Sequence, residues 1–401
     1  MKLGGIASGD DFYDRKSECA ALTRYLEKDH VVASGPRRLG KSSIVNRLRE
    51  EAIAKGILVA HVDVQGIEGA QAFVDELERH FPDASIKGYL NSMSAAAKAW
   101  LPAIKNVTTT LPGGGGMAIE LQQSATYPWY KAAAAIQARL TPAPVLIFID
   151  EFSVFLQKLL DSKRPEAEAL LAWLRAWRVT PDIACRFLFT GSIGLYSLLE
   201  RYGLSAQIND CFEHPIGPFK ASSAQEMLAC FAQRKDWAID DAMTAKICEK
   251  IGWLSPFYLC LILDQTIQAA SDRLDETLEG AATPPKVLTE QDLGNAYERL
   301  LSSRSRFVHW EQRLQRDLTQ SDFAFATLIL SAVAKNPDGL TKAKLQARMA
   351  KLEPDPDQRA IRLQNLLQRL QDEGYLSLPD ATGTVRFLSF LLRDYWKRNH
   401  V

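Results

Sequence analysis

The sequence predicts a three-layer α/β domain built on a parallel sheet, followed by an all-helical unit and a C-terminal winged helix. Three observations lead there. Short apolar runs of strand length alternate with helical periods through the first half, strand signals then stop, and the stretch from Asp322 onward reads as three helices and a hairpin.

The strand candidates are HVVASG (30–35), ILVAHVDV (57–64), VLIFID (145–150) and RFLFTGS (186–192). Each is β-branched or aromatic and continuously apolar, as expected where helices cover both faces of a parallel sheet. Helical patterns separate them, beginning with KSSIVNRLREEAIAK directly after the first run. Strands alternating with helices imply crossover connections, hence a parallel sheet between two helical layers.

After Pro218 the segments SSAQEMLACFAQRK, DDAMTAKICEKIG and SPFYLCLILDQTIQAA are helical, with serine or aspartate near their starts and no strand between them. GAATPPK (280–286) is a loop. Beyond it come two further helical segments and then the terminal unit: a helix, TKAKLQARMAK, DQRAIRLQNLLQRLQDEG, YLSLP, a turn at DATG, and TVRFL. In the long helix Leu363, Leu366, Leu367 and Leu370 share one face, while Arg362, Gln364, Asn365, Gln368 and Arg369 lie largely away from it. Domain boundaries are expected at 1–217, 218–310 and 311–401. VTTTLPGGGGMAIELQ (107–122) reads as a hairpin with a glycine tip, because no lysine and no helix follow its four glycines.

A chain of 401 residues, 47% apolar and 24% charged, has the composition of a globular protein and the length of two or three domains. The N-terminus lacks the apolar core of a signal peptide and no long apolar run occurs, so a cytoplasmic location is expected. Six cysteines form no CxxC pair and no cluster with histidine; they read as reduced, mostly buried thiols rather than a zinc site. The net charge is zero, which excludes a protein basic throughout, yet from residue 301 onward 16 Lys and Arg face 11 Asp and Glu. One basic domain remains compatible with nucleic acid.

Gly35-Pro36-Arg37-Arg38-Leu39-Gly40-Lys41-Ser42 fits GxxxxGK[ST], and it falls between an expected strand and an expected helix, the context the motif requires. The glycines let the main chain curl so that successive N–H groups point at phosphates, and the following helix adds its positive end. Lys41 would neutralise the terminal phosphate oxygens and Ser42 would ligate Mg²⁺, with Ser43 just beyond. VLIFID ends in Asp150 followed by Glu151, the two carboxylates of a Walker B strand. Asp150 would hold Mg²⁺ through water, and Glu151 would polarise the attacking water. RFLFTGS ends in Thr190-Gly191-Ser192, so Ser192 is a candidate sensor of the γ-phosphate; an ordinary strand-end turn fits equally well. No NKxD base-recognition motif occurs, which favours ATP over GTP.

GPRRLGKSS, together with FYDRKSECAAL, IDEFSVFL, WLRAWR, FTGSIGL, GWLSPFYL and the terminal FLLRDYWKR, resembles the archaeal and bacterial ATPases of the STAND and AAA-like group. In that group a P-loop domain precedes a helical lid and a winged helix, an arrangement shared with initiator and origin-recognition ATPases. The resemblance implies that Arg15 flanks the nucleotide base, as in the family's F-x-G-R-E-x-E-L pattern, although Asp14 stands where the family has glycine and Lys16 where it has glutamate. It also implies that Gly252 and Pro256 start a lid helix packed over the phosphates, the alternative being an ordinary proline-initiated helix. Arg37 and Arg38 match the family's GPRR.

The expectation is therefore a Mg²⁺-dependent ATPase, holding ATP or ADP, that works as a conformational switch. Its winged helix would signal to DNA, with Lys342, Lys344 and Arg348 available for phosphates, or to a protein partner or second copy. A nucleotide-gated scaffold with little turnover is the alternative, because binding and hydrolysis share the same loop.

Overall fold

The computed structural model describes residues 3–81, 127–192, 194–277, 285–377 and 380–401. The hairpin expected at 107–122 and most of the loop expected at 280–286 lie outside the described residues. The chain divides into two compact units: one comprises Arg15–Gly35 and Lys41–Ile216, the other Met1–Asp14, Pro36–Gly40 and Gly217–Val401.

The first unit is the α/β unit. In chain order it holds α1 (Lys16–Leu26), β1 (His30–Ser34), α2 (Lys41–Ala54), β2 (Leu58–Asp63), α3 (Gly69–His80), α4 (Tyr130–Leu140), β3 (Val145–Asp150), α5 (Phe152–Arg178), β4 (Arg186–Thr190), α6 (Leu195–Arg201) and β5 (Cys211–Pro215). The five strands pair in the order β2-β3-β4-β1-β5, all parallel. This is the parallel sheet between helices that the sequence predicts.

β3 and β4 are buried at every position, which explains why they read as unbroken apolar runs. Their outward residues meet an aromatic core: Phe73 stacks on Phe155 at 5.4 Å between centroids, and Trp177 meets Phe187 edge-on at 5.0 Å. The strand missing from the sequence reading is β5. Its residues, CFEHP, lack an apolar run, and Phe212 is exposed while Pro215 ends it, all marks of an edge strand. Helix α5 is two helices joined across a kink at Lys163 (φ −144°), just ahead of Pro165, whose ring disfavours an unbroken helix.

The second unit holds α7 (Ala221–Gln233), α8 (Asp241–Ile251), α9 (Pro256–Thr277), α10 (Glu290–Ser302), α11 (Arg304–Asp317), α12 (Gln320–Ala334), β6 (Leu340–Thr341), α13 (Lys342–Met349), α14 (Pro356–Asp372), β7 (Thr384–Val385) and α15 (Phe390–His400). The side-chain caps are legible residue by residue. Asp240 accepts from the Met243 N–H at 2.7 Å, Thr289 and Asp292 form a reciprocal capping box, and Asp355 caps α14 just before Pro356.

The terminal hairpin is more dispersed than expected. β7 pairs antiparallel with β6, which precedes α13, while Leu376 bridges Phe387 separately. β6 contains only two residues, too short for any period to show. In α14 the four leucines are buried as the pattern requires, and Ile361, Gln364 and Asn365 are exposed. All six cysteines are free thiols; five are buried and Cys230 is half-buried. No helix among the described residues is long and apolar enough to cross a membrane.

Candidate functional site

In a parallel sheet the carboxyl ends of the strands open onto one edge, where ligands of such folds bind. The register makes this edge concrete. Asp63 is opposite Asp150, and Ala33 is opposite Thr190, so the end of β1 that leads into the glycine loop and the end of β3 that delivers the acids flank β4. β4 therefore brings the Thr190 hydroxyl between the two motifs.

Lys41, the first residue of α2, is buried, and its Nζ donates to the Gly35 carbonyl at 2.6 Å. Asp150 is buried as well. Burial works against its ionisation, but His61 and the hydroxyls of Thr190 and Ser42 outweigh that and hold its carboxyl below the ordinary carboxylate range. The Thr190 hydroxyl donates to Asp150 Oδ1, and the Glu151 N–H donates to the same oxygen at 3.0 Å. Asp150 is thus an acceptor fixed on one oxygen.

Glu151 sits in the left-handed region (φ 57°, ψ 28°) at the start of α5, a turn that directs its side chain away from the strand line. Its Oε2 accepts from the Ser192 N–H at 3.1 Å and from the Ser192 hydroxyl at 2.8 Å. The glycine of the TGS segment is what permits this. A Cβ on Gly191 would lie 1.9 Å from Ser153 Oγ, so any larger residue would push the end of β4 off α5. Thr190 and Ser192, on either side, reach Asp150 and Glu151 because that approach is open.

His61 and Thr190 complete the cluster and are not among the site residues read from the sequence. His61 Nε2 stands 3.9 Å from Asp150 Oδ2. Its signal is a histidine inside the apolar run ILVAHVDV, where a polar residue stands out. For Thr190 the signal was the strand-end hydroxyl itself. Arg15, expected near the base, has left-handed geometry (φ 64°) at the start of α1, is 3% exposed, and pairs through Nη1 with Glu18 Oε1 at 2.6 Å. Ser43 and Leu39 are buried.

The middle of the glycine loop, Pro36–Gly40, packs within the second unit. φ is positive at Arg38 (69°) and Gly40 (86°) and not at Leu39 between them, the alternation of a main-chain anion nest. The side chains of Arg37 and Arg38 are both engaged. Arg37 Nε is 3.2 Å from Glu373 Oε2, and the Arg38 guanidinium lies 3.8 Å from the Phe257 ring centroid and 4.4 Å from that of Trp310. Pro256 opens α9, and the preceding Ser255 donates its hydroxyl to the Arg38 carbonyl at 2.6 Å.

These residues fit a Mg²⁺-nucleotide. In the α/β unit the buried Lys41 would supply a cation and Ser42 with Asp150 oxygen ligands, and in the other unit the alternating φ at Arg38–Gly40 would supply main-chain donors to phosphate. Among the described residues no group of three or more His, Cys, Asp or Glu is arranged to cage a metal alone.

No protein-family model and no curated protein matches the sequence. The solved structures do. A Walker-type ATPase of Pyrococcus abyssi superposes with a TM-score of 0.62 at 16% identity, covering 99% of each chain. The Aeropyrum pernix ORC2 protein, in its ADPNP–ADP complexes, superposes with a TM-score of 0.54 at 14% identity, covering 99% of this chain and 95% of that one. At these identities the likeness is one of fold: this chain has the fold of P-loop ATPases, and it resembles them along its whole length.

Proposed function

We propose that the protein is a cytoplasmic, Mg²⁺-dependent ATPase that uses ATP binding and hydrolysis as a conformational switch. The observation that carries this reading is the shared anchoring at the sheet edge, where the Thr190 hydroxyl donates to Asp150 while the adjacent Glu151 is held by Ser192. A loop that only bound phosphate would need Lys41 and Ser42. It would have no use for a second carboxylate carried in a left-handed turn and held by two donors.

In this reading the nest at Arg38 and Gly40 receives phosphate oxygens, Lys41 neutralises them, and Ser42 with Asp150 holds the metal, which when bound would screen charge on the phosphates. Glu151 orients the attacking water, and Ser192 acts as its positioner rather than as a direct contact to phosphate. Arg15 flanks the base. The domains are the P-loop domain (1–217), the helical lid (218–310) and the winged helix (311–401), and the product of turnover is a change in how the last two engage a partner.

A phosphate-release assay on the native chain and on Glu151→Gln tests this. Turnover by the native chain, lost in the variant while ATP is still bound, supports the enzyme. Tight ATP binding with no turnover in either protein supports the nucleotide-gated scaffold instead. That alternative has its own support in the closed Glu151–Ser192 pair, which occupies the carboxylate.

For the partner, α13 exposes Lys342, Lys344 and Arg348, which favours DNA contact through phosphates. On α14, Arg362 is instead committed to Asp322 and Glu353 at 3.3 and 3.4 Å, and the outward face presents Gln364, Asn365 and Ile361, which suits a protein or a second copy of the chain. Duplex binding that falls steeply with salt would select DNA; its absence would select a protein.

A further inference from the structure

Arg38 is an L-residue standing in left-handed geometry at φ 69°, in the middle of a loop where glycine would be the undemanding choice. Such a conformation persists only where the surroundings over-determine it. Here they do so twice. The guanidinium is sandwiched between the Phe257 and Trp310 rings, at 3.8 and 4.4 Å to the centroids, and the main-chain carbonyl of the same residue accepts the Ser255 hydroxyl at 2.6 Å. Side chain and backbone are therefore gripped by α9 with its leading turn and by α11. The neighbouring Arg37 is anchored separately on Glu373, at the end of α14, which Arg313 also approaches at 3.7 Å.

We propose that Arg38 is a positioning residue: it does not bind phosphate, but lets the helical unit hold the glycine loop in its anion-binding form. This deepens the ATPase reading and rests on it. A guanidinium wedged between two rings is turned into aromatic surface, so its charge serves the packing. The main-chain N–H groups from Arg37 to Gly40 are what the alternating φ values present to an anion. It follows that nucleotide affinity is set by residues of the helical unit. Anything that displaces Phe257, Trp310 or, through Glu373, the end of α14 would release the loop and loosen the nucleotide.

The test is ADP binding by calorimetry to the full chain, with thermal melts to verify folding. Arg38→Ala keeps an L-residue in the left-handed position and removes its restraint, so Kd should rise about tenfold, the factor matching the usual left-handed penalty. Arg38→Gly adopts the same φ freely and should stay within about twofold of the native value. Phe257→Leu, a mild change at a half-buried position, should weaken binding in the native background and leave Arg38→Gly unaffected. Equal losses in Arg38→Ala and Arg38→Gly would overturn the proposal, because they would mean that the guanidinium itself contacts the nucleotide. An unchanged Kd in Phe257→Leu would overturn it as well. Lys41→Ala separates the two levels: loss of binding there, with an unchanged Arg38 series, refutes only the positioning role. No ADP binding by the native chain refutes the ATPase reading and this assignment together.

Discussion

The two ends of the five-stranded sheet both bury ionisable groups, yet they are built in opposite ways. At the amino ends of the strands, Arg178 is 1% exposed in its side chain and forms a two-pronged pair with Asp210, Nε to Oδ2 at 2.6 Å and Nη2 to Oδ1 at 3.1 Å, while Nη2 also reaches the Gln207 carbonyl. Beside it His30 accepts from the Phe187 N–H through Nδ1 and donates Nε2–H to the Arg178 carbonyl. At the carboxyl ends the contacts are of another kind. Lys41 Nζ donates to the Gly35 carbonyl, Asp150 takes the Thr190 hydroxyl on one oxygen with His61 Nε2 3.9 Å from the other, and Glu151 occupies left-handed backbone. A two-pronged ion pair closes one end, whereas at the other the Thr190 and Ser192 hydroxyls donate to the carboxylates. Carboxylates held by neutral donors keep their charge, so the second end is the candidate site and the first is structural.

The sharpest way to break this contrast is at the closed end. Asp210→Ala leaves a buried guanidinium without its carboxylate, which should destabilise the fold by about 3–5 kcal/mol. Denaturant unfolding would measure it, and ADP affinity of the folded fraction should be unchanged. A loss below about 1 kcal/mol would mean that the pair is no more than a surface contact.

At the open end the order of effects reverses. Lys41→Ala removes a donor to the Gly35 carbonyl and leaves the strands of the sheet untouched, so melting should move little in the absence of nucleotide. ADP affinity should fall about a hundredfold, equivalent to about 2.7 kcal/mol. Calorimetry on the variant checks it. Native-like affinity would remove Lys41 from the phosphate site, and with it the contrast between the two ends.

His30 sharpens the comparison through pH. Burial lowers its pKa from 6.5 to about 3, helped by Arg178 and Arg186 and opposed by Asp210 and the Arg178 carbonyl. The folded state keeps it neutral, whereas the unfolded chain takes up a proton below pH 6.5. The contribution is therefore complete above pH 6.5 and is lost as pH falls, by about 2 kcal/mol between pH 7 and 5. His30→Gln should flatten that part of the stability profile relative to the native chain. Equal slopes in the two proteins would show that His30 is already charged in the fold.

The segments of the candidate site are legible in the sequence because each is local in the chain. Gly35 to Ser42 is one contiguous loop, and Asp150 with Glu151 closes a strand whose six residues are all buried. The closed end was not legible. Arg178 and Asp210 are 32 residues apart, and His30 is 148 residues from the carbonyl it meets. Nothing in either segment announces a partner that only sheet order β2-β3-β4-β1-β5 brings near. The same reason hid His61, which reaches Asp150 through strand pairing, and β5, whose edge position leaves it without an apolar run. Arg37 and Arg38 were visible as part of a loop motif, but their engagement with Glu373, Phe257 and Trp310 depends on helices more than two hundred residues later.

Ser192 gives the finest division between holding a structure and running a reaction. Its hydroxyl donates to Glu151 at 2.8 Å, and its N–H donates to the same oxygen, so Ser192→Ala removes one of two donors and leaves Glu151 partly restrained. If Glu151 orients water only when correctly aimed, the variant should lose about fivefold in kcat, near 1 kcal/mol, with KM for ATP unchanged. Were Ser192 instead to touch the phosphate in the ground state, KM would rise and kcat would hold. A rise in kcat would reveal a third arrangement, in which the two donors restrain the carboxylate away from water and their partial loss frees it.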